Sequence, residues 1–270
     1  MIDIHHHLLF GLDDGSPDID TSIIMAEAAA DDGITHIACT PHANDRYAFK
    51  PDVNAERMEE LQQRLGNKVT LGLGCDFHLS YDNIEDALMN RTKYTINQKQ
   101  YLLVEFADLM IPPSITDVFY QMKAAGMTPI ITHPERNLTI QRHPERMIPW
   151  LREGCLVQVT ASSLTGRFGR TAQSMAFDYF DKNWVNFLAT DAHNLTSRTP
   201  ILSEAYKIVE NKYGEETAER VCVINPGAAF HGTNFPLQPE PLGLYDETPE
   251  TEPGKGAKKG LFSRLFSPKS

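Results

Sequence analysis

The chain has 270 residues, 41% of them hydrophobic, and a formal net charge of −11. That length fits one barrel-sized domain or two ordinary ones, and the apolar fraction supports a core without disulfide staples. The acidic balance argues against general nucleic-acid binding, and no apolar run approaches the roughly 20 residues that span a bilayer.

The opening residues, Met1-Ile2-Asp3-Ile4-His5, do not read as a signal peptide and predict a strand over Met1–His5. A helix over Asp18–Asp32 follows, with Ser16 as its N-cap, Pro17 at its first position and Gly33 past its end. Strands at Thr35–Thr40 and Lys68–Gly74 flank a helix at Val53–Leu65. Further strands at Tyr101–Glu105, Thr128–Thr132, Leu156–Thr160 and Val185–Thr190 alternate with helices at Ile115–Ala125, Pro144–Arg152, Thr171–Asp181 and Pro200–Lys212. Apolar runs alternating with helical patterns mark βα units around a parallel sheet, and seven strands suit a closed or nearly closed barrel better than an open sheet. Periodicity alone leaves closure open. From Pro236 the composition turns Pro-, Glu- and Thr-rich, acidic to Glu252 and basic from Lys255, which predicts a folded domain over residues 1–235 and a disordered tail over 236–270. Cys39, Cys75, Cys155 and Cys222 form no C-x-x-C pair and read as reduced, buried thiols of a cytosolic protein.

The chemistry lies where the strands end. His5 and His7 close the first strand, and alternation sends both side chains to one side, where they can share an ion. Asp13-Asp14-Gly15 follows in the next loop, Thr40-Pro41-His42 ends the second strand and Gly74-Cys75-Asp76 the third. Val104-Glu105 ends the fourth, His133-Pro134-Glu135-Arg136 follows the fifth, and Asp191-Ala192-His193-Asn194 follows the seventh. In parallel α/β barrels the C-terminal strand ends gather on one face, so these His, Asp and Glu residues converge on one site. His6 points the other way and is expected to be packed and hydrogen-bonded. His78 could face the site. His36 and His231 read as structural, and the second HPER, His143–Arg146, as a helix start.

These motifs, in order over residues 1 to about 230, resemble the bacterial PHP-type metal-dependent protein-tyrosine phosphatases of the CpsB/YwqE family. The resemblance implies a distorted seven-stranded (β/α) barrel holding three divalent ions, manganese above all, with magnesium, iron or zinc as alternatives. It implies that His5, His7, Asp76 and Asp191 hold one ion, Asp76, Glu105 and His133 a second, and Asp14, His42 and His193 a third. Arg136 and Arg198 take the places of phosphate-binding arginines. Asp76 stands where the family usually has a glutamate, one methylene longer. The implied substrate is a tyrosine-phosphorylated protein, in the family a bacterial tyrosine kinase controlling capsule or exopolysaccharide synthesis. Three divalent ions outweigh four carboxylates, so the site attracts a phosphoryl dianion despite the acidic surface.

A cysteine-based mechanism is excluded, because the residues six positions after the four cysteines are Asp45, Tyr81, Ala161 and Ala228, never arginine. No G-x-x-x-x-G-K-[ST] loop is present. A phosphatase of the same superfamily acting on a small monoester such as histidinol phosphate, or a metal-binding scaffold without activity, remains the alternative. In the tail, Leu261, Phe262, Leu265 and Phe266 beside Lys258, Lys259 and Arg264 could form a short amphipathic helix on the inner membrane face.

Overall fold

A computed structural model of the chain describes residues 1–107 and 111–245. Its strands are β1 (Ile2–His6), β2 (His36–Cys39), β3 (His42–Ala43), β4 (Thr70–Leu73), β5 (Asp76–His78), β6 (Tyr101–Glu105), β7 (Thr128–Thr132), β8 (Leu156–Thr160) and β9 (Phe187–Ala189). They form two sheets, ordered β1-β2-β4 and β3-β5-β6-β7-β8-β9, with parallel pairing throughout. The helices are α1 (Ile19–Asp31), α2 (Pro51–Leu65), α3 (Tyr81–Met89), α4 (Ile115–Ala124), α5 (Leu138–Arg142), α6 (Met147–Arg152), α7 (Ala161–Leu164), α8 (Gly169–Asp181), α9 (Ser203–Tyr213), α10 (Glu215–Glu219) and α11 (Asn225–His231). None among the described residues is long and apolar enough to cross a membrane.

All seven expected strands occur, and β3 and β5 are additions too short to show a period. Each continues a longer strand past a break. Pro41, which has no N–H to give a ladder, separates β2 from β3, and Gly74-Cys75 separates β4 from β5. Backbone bonds carry the pairing across both breaks, from Gly74 N–H to the Cys39 carbonyl (2.8 Å) and from Asp76 N–H to the Pro41 carbonyl (3.2 Å). At the far side, Asp191 N–H donates to the His5 carbonyl and His7 N–H to the Ala192 carbonyl, both at 2.9 Å. The segment after β9 therefore lies along β1, and the end of the second sheet meets the start of the first.

Strands buried on both faces divide the apolar residues into two clusters. One lies between strands and helices and includes Ile37, Leu102, Val104, Ile131 and Val157. The other takes alternate residues of the same strands, Ala38, Tyr101, Leu103, Ile130 and Phe187, and is joined by Ala229 and Phe230 of α11. Between the pairs Asp3/Ile37 and His6/Cys39, β1 carries one residue more than β2. This bulge lets Ile4 join the second cluster while the next residue, His5, turns to the site.

Two expectations change. Helix α1 is capped by Asp18, whose carboxylate accepts from Thr21 N–H at 2.8 Å, and not by Ser16, which instead accepts from the Ser22 hydroxyl. The helix buries Ser22, Met25, Ala26 and Ala29, the i, i+3, i+4, i+7 stripe of a core-facing helix. The expectation of disorder from residue 236 fails for 236–245. Trp184 Nε1 donates to the Leu242 carbonyl (2.9 Å), Arg152 Nε to the Leu244 carbonyl (2.6 Å), and Asn225 and Gln238 exchange paired side-chain bonds. Leu244 is 2% exposed. A proline-rich strap forms no ladder of its own, yet the fold supplies donors for its carbonyls. The candidate amphipathic segment at 258–266 lies outside the described residues.

Candidate metal centre

The nine candidate ligands come from six strand ends and the Asp13-Asp14 loop, and the fold brings them together. Ligand atoms of His7, Asp14, His42 and His193 lie within 4.8 Å of one another, as do those of His5, His7 and Asp76, and those of His42, Asp76 and Glu105. His7, His42 and Asp76 each belong to two of these three groups, so the groups form one continuous cluster. Asp76, although a short carboxylate, reaches its centre. Its Oδ2 is 3.5 Å from His5 Nε2 and 3.1 Å from His42 Nδ1. The cap of α3 is Ser80, which accepts from Asn83 N–H, so Asp76 has no capping duty.

Asp191 Oδ1 lies 3.4 Å from Nε2 of both His5 and His7. Its other oxygen accepts from Arg136 and, at 2.5 Å, from Arg198. His133 Nε2 is 3.7 Å from Glu105 Oε1, and its ring stacks on His5 with centroids 5.6 Å apart. His42, which the resemblance gave to one ion alone, stands between Asp14 (3.4 Å) and Glu105 (3.6 Å). His133 (φ 34°) and Asp191 (φ 52°) both adopt left-handed backbone, conformations of higher energy that persist where surrounding structure holds them and that cluster at functional sites.

The histidines are oriented from behind. Gln158 Oε1 sits 3.0 Å from His5 Nδ1, Asp13 Oδ2 2.8 Å from His7 Nδ1, and the Asp191 carbonyl 3.0 Å from His193 Nδ1. With Nδ1–H donating to each of these oxygens, Nε2 keeps its lone pair and faces the cluster. Sequence reasoning passed over Asp13 and Gln158 in this capacity. Gln158 carried a signal, a lone polar residue inside the buried strand Leu156–Thr160. Asp3 is another buried carboxylate, accepting from Thr190 N–H (3.1 Å) and the Thr190 hydroxyl (2.5 Å), and it fixes the turn that presents Asp191.

The donor set fits divalent cations. Both oxygens of Asp76, Oδ1 of Asp191, Nδ1 of His42 and Nε2 of His193 are buried and accept or donate no hydrogen bond. Buried polar atoms rarely go unmatched, and these aim at one another across the distances that a coordinated ion bridges. The proton affinities carry the same imprint. Burial disfavours charge on His42, but Asp14 and Asp76 beside it lift its pKa to about 11. Burial and the neighbouring Asp76 push Glu105 up to about 8, and burial and His7 push His193 down to about 4. The imidazoles of His193 and His42, 3.6 and 3.4 Å away, hold Asp14 well below the usual carboxylate range. So many carboxylates in one buried site call for positive charge.

His6, expected to be packed and hydrogen-bonded, is fully buried, but neither ring nitrogen has a partner. Burial, with His7 second, pushes its pKa down to about 3, so it is a neutral packing residue. His78 lines a groove beside Asp14 and Glu105. His36 and His231 pack edge-on near Phe230, away from the centre, and His143 is exposed beside Glu145.

The family profile described as capsular polysaccharide synthesis, CpsB/CapC, matches residues 1–231. The tyrosine-protein phosphatase YwqE of Bacillus subtilis (strain 168) is 34% identical over 220 residues, 80% of this chain and 86% of that protein. Tyrosine-protein phosphatase CpsB of Streptococcus pneumoniae is 26% identical over 235 residues, covering 84% and 96%. A solved structure from work on YwqE and CpsB, described there as metal-dependent tyrosine phosphatases, superposes with a TM-score of 0.82 at 30% identity, covering 90% of this chain and 99% of that one. The lactonase Lmo2620 of Listeria monocytogenes, at 13% identity and a TM-score of 0.55 over 87% and 95%, shares the fold alone.

Proposed function

Because the chain belongs to the capsular polysaccharide synthesis family CpsB/CapC, we propose that it is a metal-dependent phosphatase that hydrolyses phosphotyrosine on a protein. The observation that carries this reading is the continuous cluster of His, Asp and Glu side chains, with atoms of His42, Asp76, Asp191 and His193 unpartnered, beside two converging arginines.

On this reading His5, His7, Asp76 and Asp191 hold one ion, Asp76, Glu105 and His133 a second, and Asp14, His42 and His193 a third. His42 turns Nδ1 toward Asp76 and Glu105 and Nε2 toward Asp14, so the tautomer it adopts would decide which neighbouring ion it holds. Divalent ions there supply Lewis acidity toward phosphoryl oxygens and make water more acidic, and manganese is the expected species. Arg136 and Arg198 bind the phosphate. Their guanidinium groups converge on one carboxylate oxygen at the cluster's edge, and Arg198 Nε has no partner, so a donor is free for an arriving oxygen. Phe168 stacks on the Arg136 guanidinium at 4.2 Å and holds its plane. Asn194 Oδ1 accepts from Thr196, Ser197 and Arg198 N–H groups, which fixes the loop presenting Arg198. A tyrosine phenolate, with a pKa of about 10, departs with little help from an acid.

The in-register breaks at Pro41 and Gly74-Cys75 and the bonds joining β9 to β1 support reading the two sheets as one distorted seven-stave barrel, with the strap to residue 245 as part of the domain. A bacterial tyrosine kinase of capsule or exopolysaccharide synthesis, met in the cytoplasm or at the inner membrane face, is the substrate this family membership suggests. Turnover of phosphotyrosine peptides and of histidinol phosphate by the manganese-loaded protein tests the assignment. Phosphotyrosine is expected to be preferred, and preference for the small monoester would refute it.

A further inference from the structure

Two hollows open from the cluster on either side of Glu105 and Phe106. The smaller, about 100 Å³, contains His133, Arg136 and Asn137 and is lined by polar groups. The larger, about 290 Å³, starts at Asp14, His42 and Glu105 and runs outward past His78 to Tyr47. The Tyr47 ring lies nearly parallel to the His42 imidazole, at 10° with centroids 6.0 Å apart, so two aligned rings make an aromatic wall along this hollow. We propose that this wall, with Tyr47 as its outer part, receives the phenyl ring of the substrate and gives the site its selectivity for aryl over alkyl phosphates. The proposal rests on the phosphotyrosine reading above.

Arg136 lines the smaller hollow and not the larger, so a phosphoryl group spanning the cluster and that guanidinium would direct its ester oxygen into the larger hollow. The first surface a ring meets there is aromatic. Offset-stacked and edge-to-face aromatic contacts are favourable, whereas an alkyl ester reaches the same oxygen without touching Tyr47. The wall is also built in advance. Asn44 Oδ1 accepts from Arg46 N–H and Tyr47 N–H, both at 2.9 Å, while Asn44 N–H donates to the Tyr47 carbonyl at 3.0 Å. Asn83 Nδ2 donates to the Ala43 carbonyl at 2.8 Å and ties the loop to the start of α3. A loop held by four such bonds loses little entropy when a ligand arrives. Arg46 places its guanidinium carbon 5.0 Å from the Tyr47 centroid and adds a cation at the mouth, suited to an anionic phosphopeptide.

The test is binding of phenylphosphonate and methylphosphonate to the manganese-loaded full chain, by calorimetry, for wild type, Tyr47→Ala and Tyr47→Phe. Wild type is expected to prefer phenylphosphonate. Tyr47→Ala is expected to weaken phenylphosphonate about 2- to 10-fold and leave methylphosphonate unchanged, with Tyr47→Phe close to wild type. Equal weakening of both ligands, or a phenyl preference that survives Tyr47→Ala, overturns the proposal. Preference lost as predicted in a protein that leaves phosphotyrosine peptides intact would support the wall and refute the phosphatase reading instead. A phosphotyrosine hydrolase whose phenyl preference ignores Tyr47 would do the reverse.

Discussion

Replacing Asp13 with alanine removes a side chain that touches no ion but accepts three N–H groups at the rim of the centre. Its Oδ2 takes His7 Nδ1 at 2.8 Å and His42 N–H at 3.1 Å, and its Oδ1 takes Gly15 N–H at 2.9 Å. Burial works against charge on this carboxylate, but His7 beside it holds the pKa down at about 2, so it accepts throughout the neutral range. In Asp13→Ala, nothing keeps the proton of His7 on Nδ1, and the tautomer with a protonated Nε2 cannot bind an ion. Outer-sphere partners of ligating histidines are worth about 10- to 100-fold in metal affinity, or about 1.4–2.7 kcal/mol. The assay is manganese retention against graded chelator, read alongside phosphatase activity with excess manganese. Asp13→Ala should lose its metal at about 10- to 100-fold lower chelator strength than wild type, and excess manganese should restore most activity. Asp13→Asn should fall between them, because its single oxygen cannot accept at both positions. Wild-type retention by Asp13→Ala would refute the idea that this carboxylate orients His7.

Other expectations follow from single contacts. A Cβ at Gly15 would stand 2.2 Å from the His7 carbonyl oxygen and 2.5 Å from His7 Cβ, so Gly15→Ala must push β1's end aside. It should lower stability by about 1–3 kcal/mol in chemical denaturation and reduce bound manganese, and a normal variant would contradict the packing. Burial raises all four thiols above their ordinary range, Cys155 to about 12, so at pH 8 only about one Cys155 in ten thousand is a thiolate. Because a raised acid pKa keeps the thiol protonated until the pH climbs through it, iodoacetamide at pH 8 should leave the folded protein unmodified and fully active. Rapid alkylation with loss of activity would count against a purely metal-based mechanism. Truncation after residue 245 should leave the melting temperature unchanged, whereas truncation after 235 exposes the Leu244 site and should cost at least about 1.5–3 kcal/mol. Equal melting of the two would show the strap to be a bystander.

Much of the fold could be read from the sequence because its strands are short apolar runs between good helix signals. Tyr101–Glu105, Thr128–Thr132 and Leu156–Thr160 have the expected bounds. β3 and β5 could not be read, since two or three residues carry no period and their pairing is inherited from β2 and β4. The segment 214–231 escaped for a different reason: α10, a π-helical turn at Arg220–Ile224 and α11 follow one another, so no single 3.6-residue stripe runs through them. Residues 236–245 have the composition of a linker, and what holds them is donors elsewhere in the fold, on Trp184, Arg152 and Asn225 among others, together with the burial of Leu244. At the site, residue type and position at strand ends identified the side chains that converge. The partners behind them were less visible. Asp13 sits beside an equally acidic neighbour, and nothing in their spacing says which of the pair turns to His7 Nδ1.

The central claim is that this cluster holds ions on which phosphotyrosine hydrolysis depends. Its most direct test is to strip the protein with chelator, return manganese in steps, and measure bound metal and phosphotyrosine-peptide turnover on the same samples. Activity should be absent without metal and rise with occupancy, and His5→Ala should bind less manganese and turn over less at every step. Full turnover by the stripped protein, or an unchanged titration for His5→Ala, would contradict it.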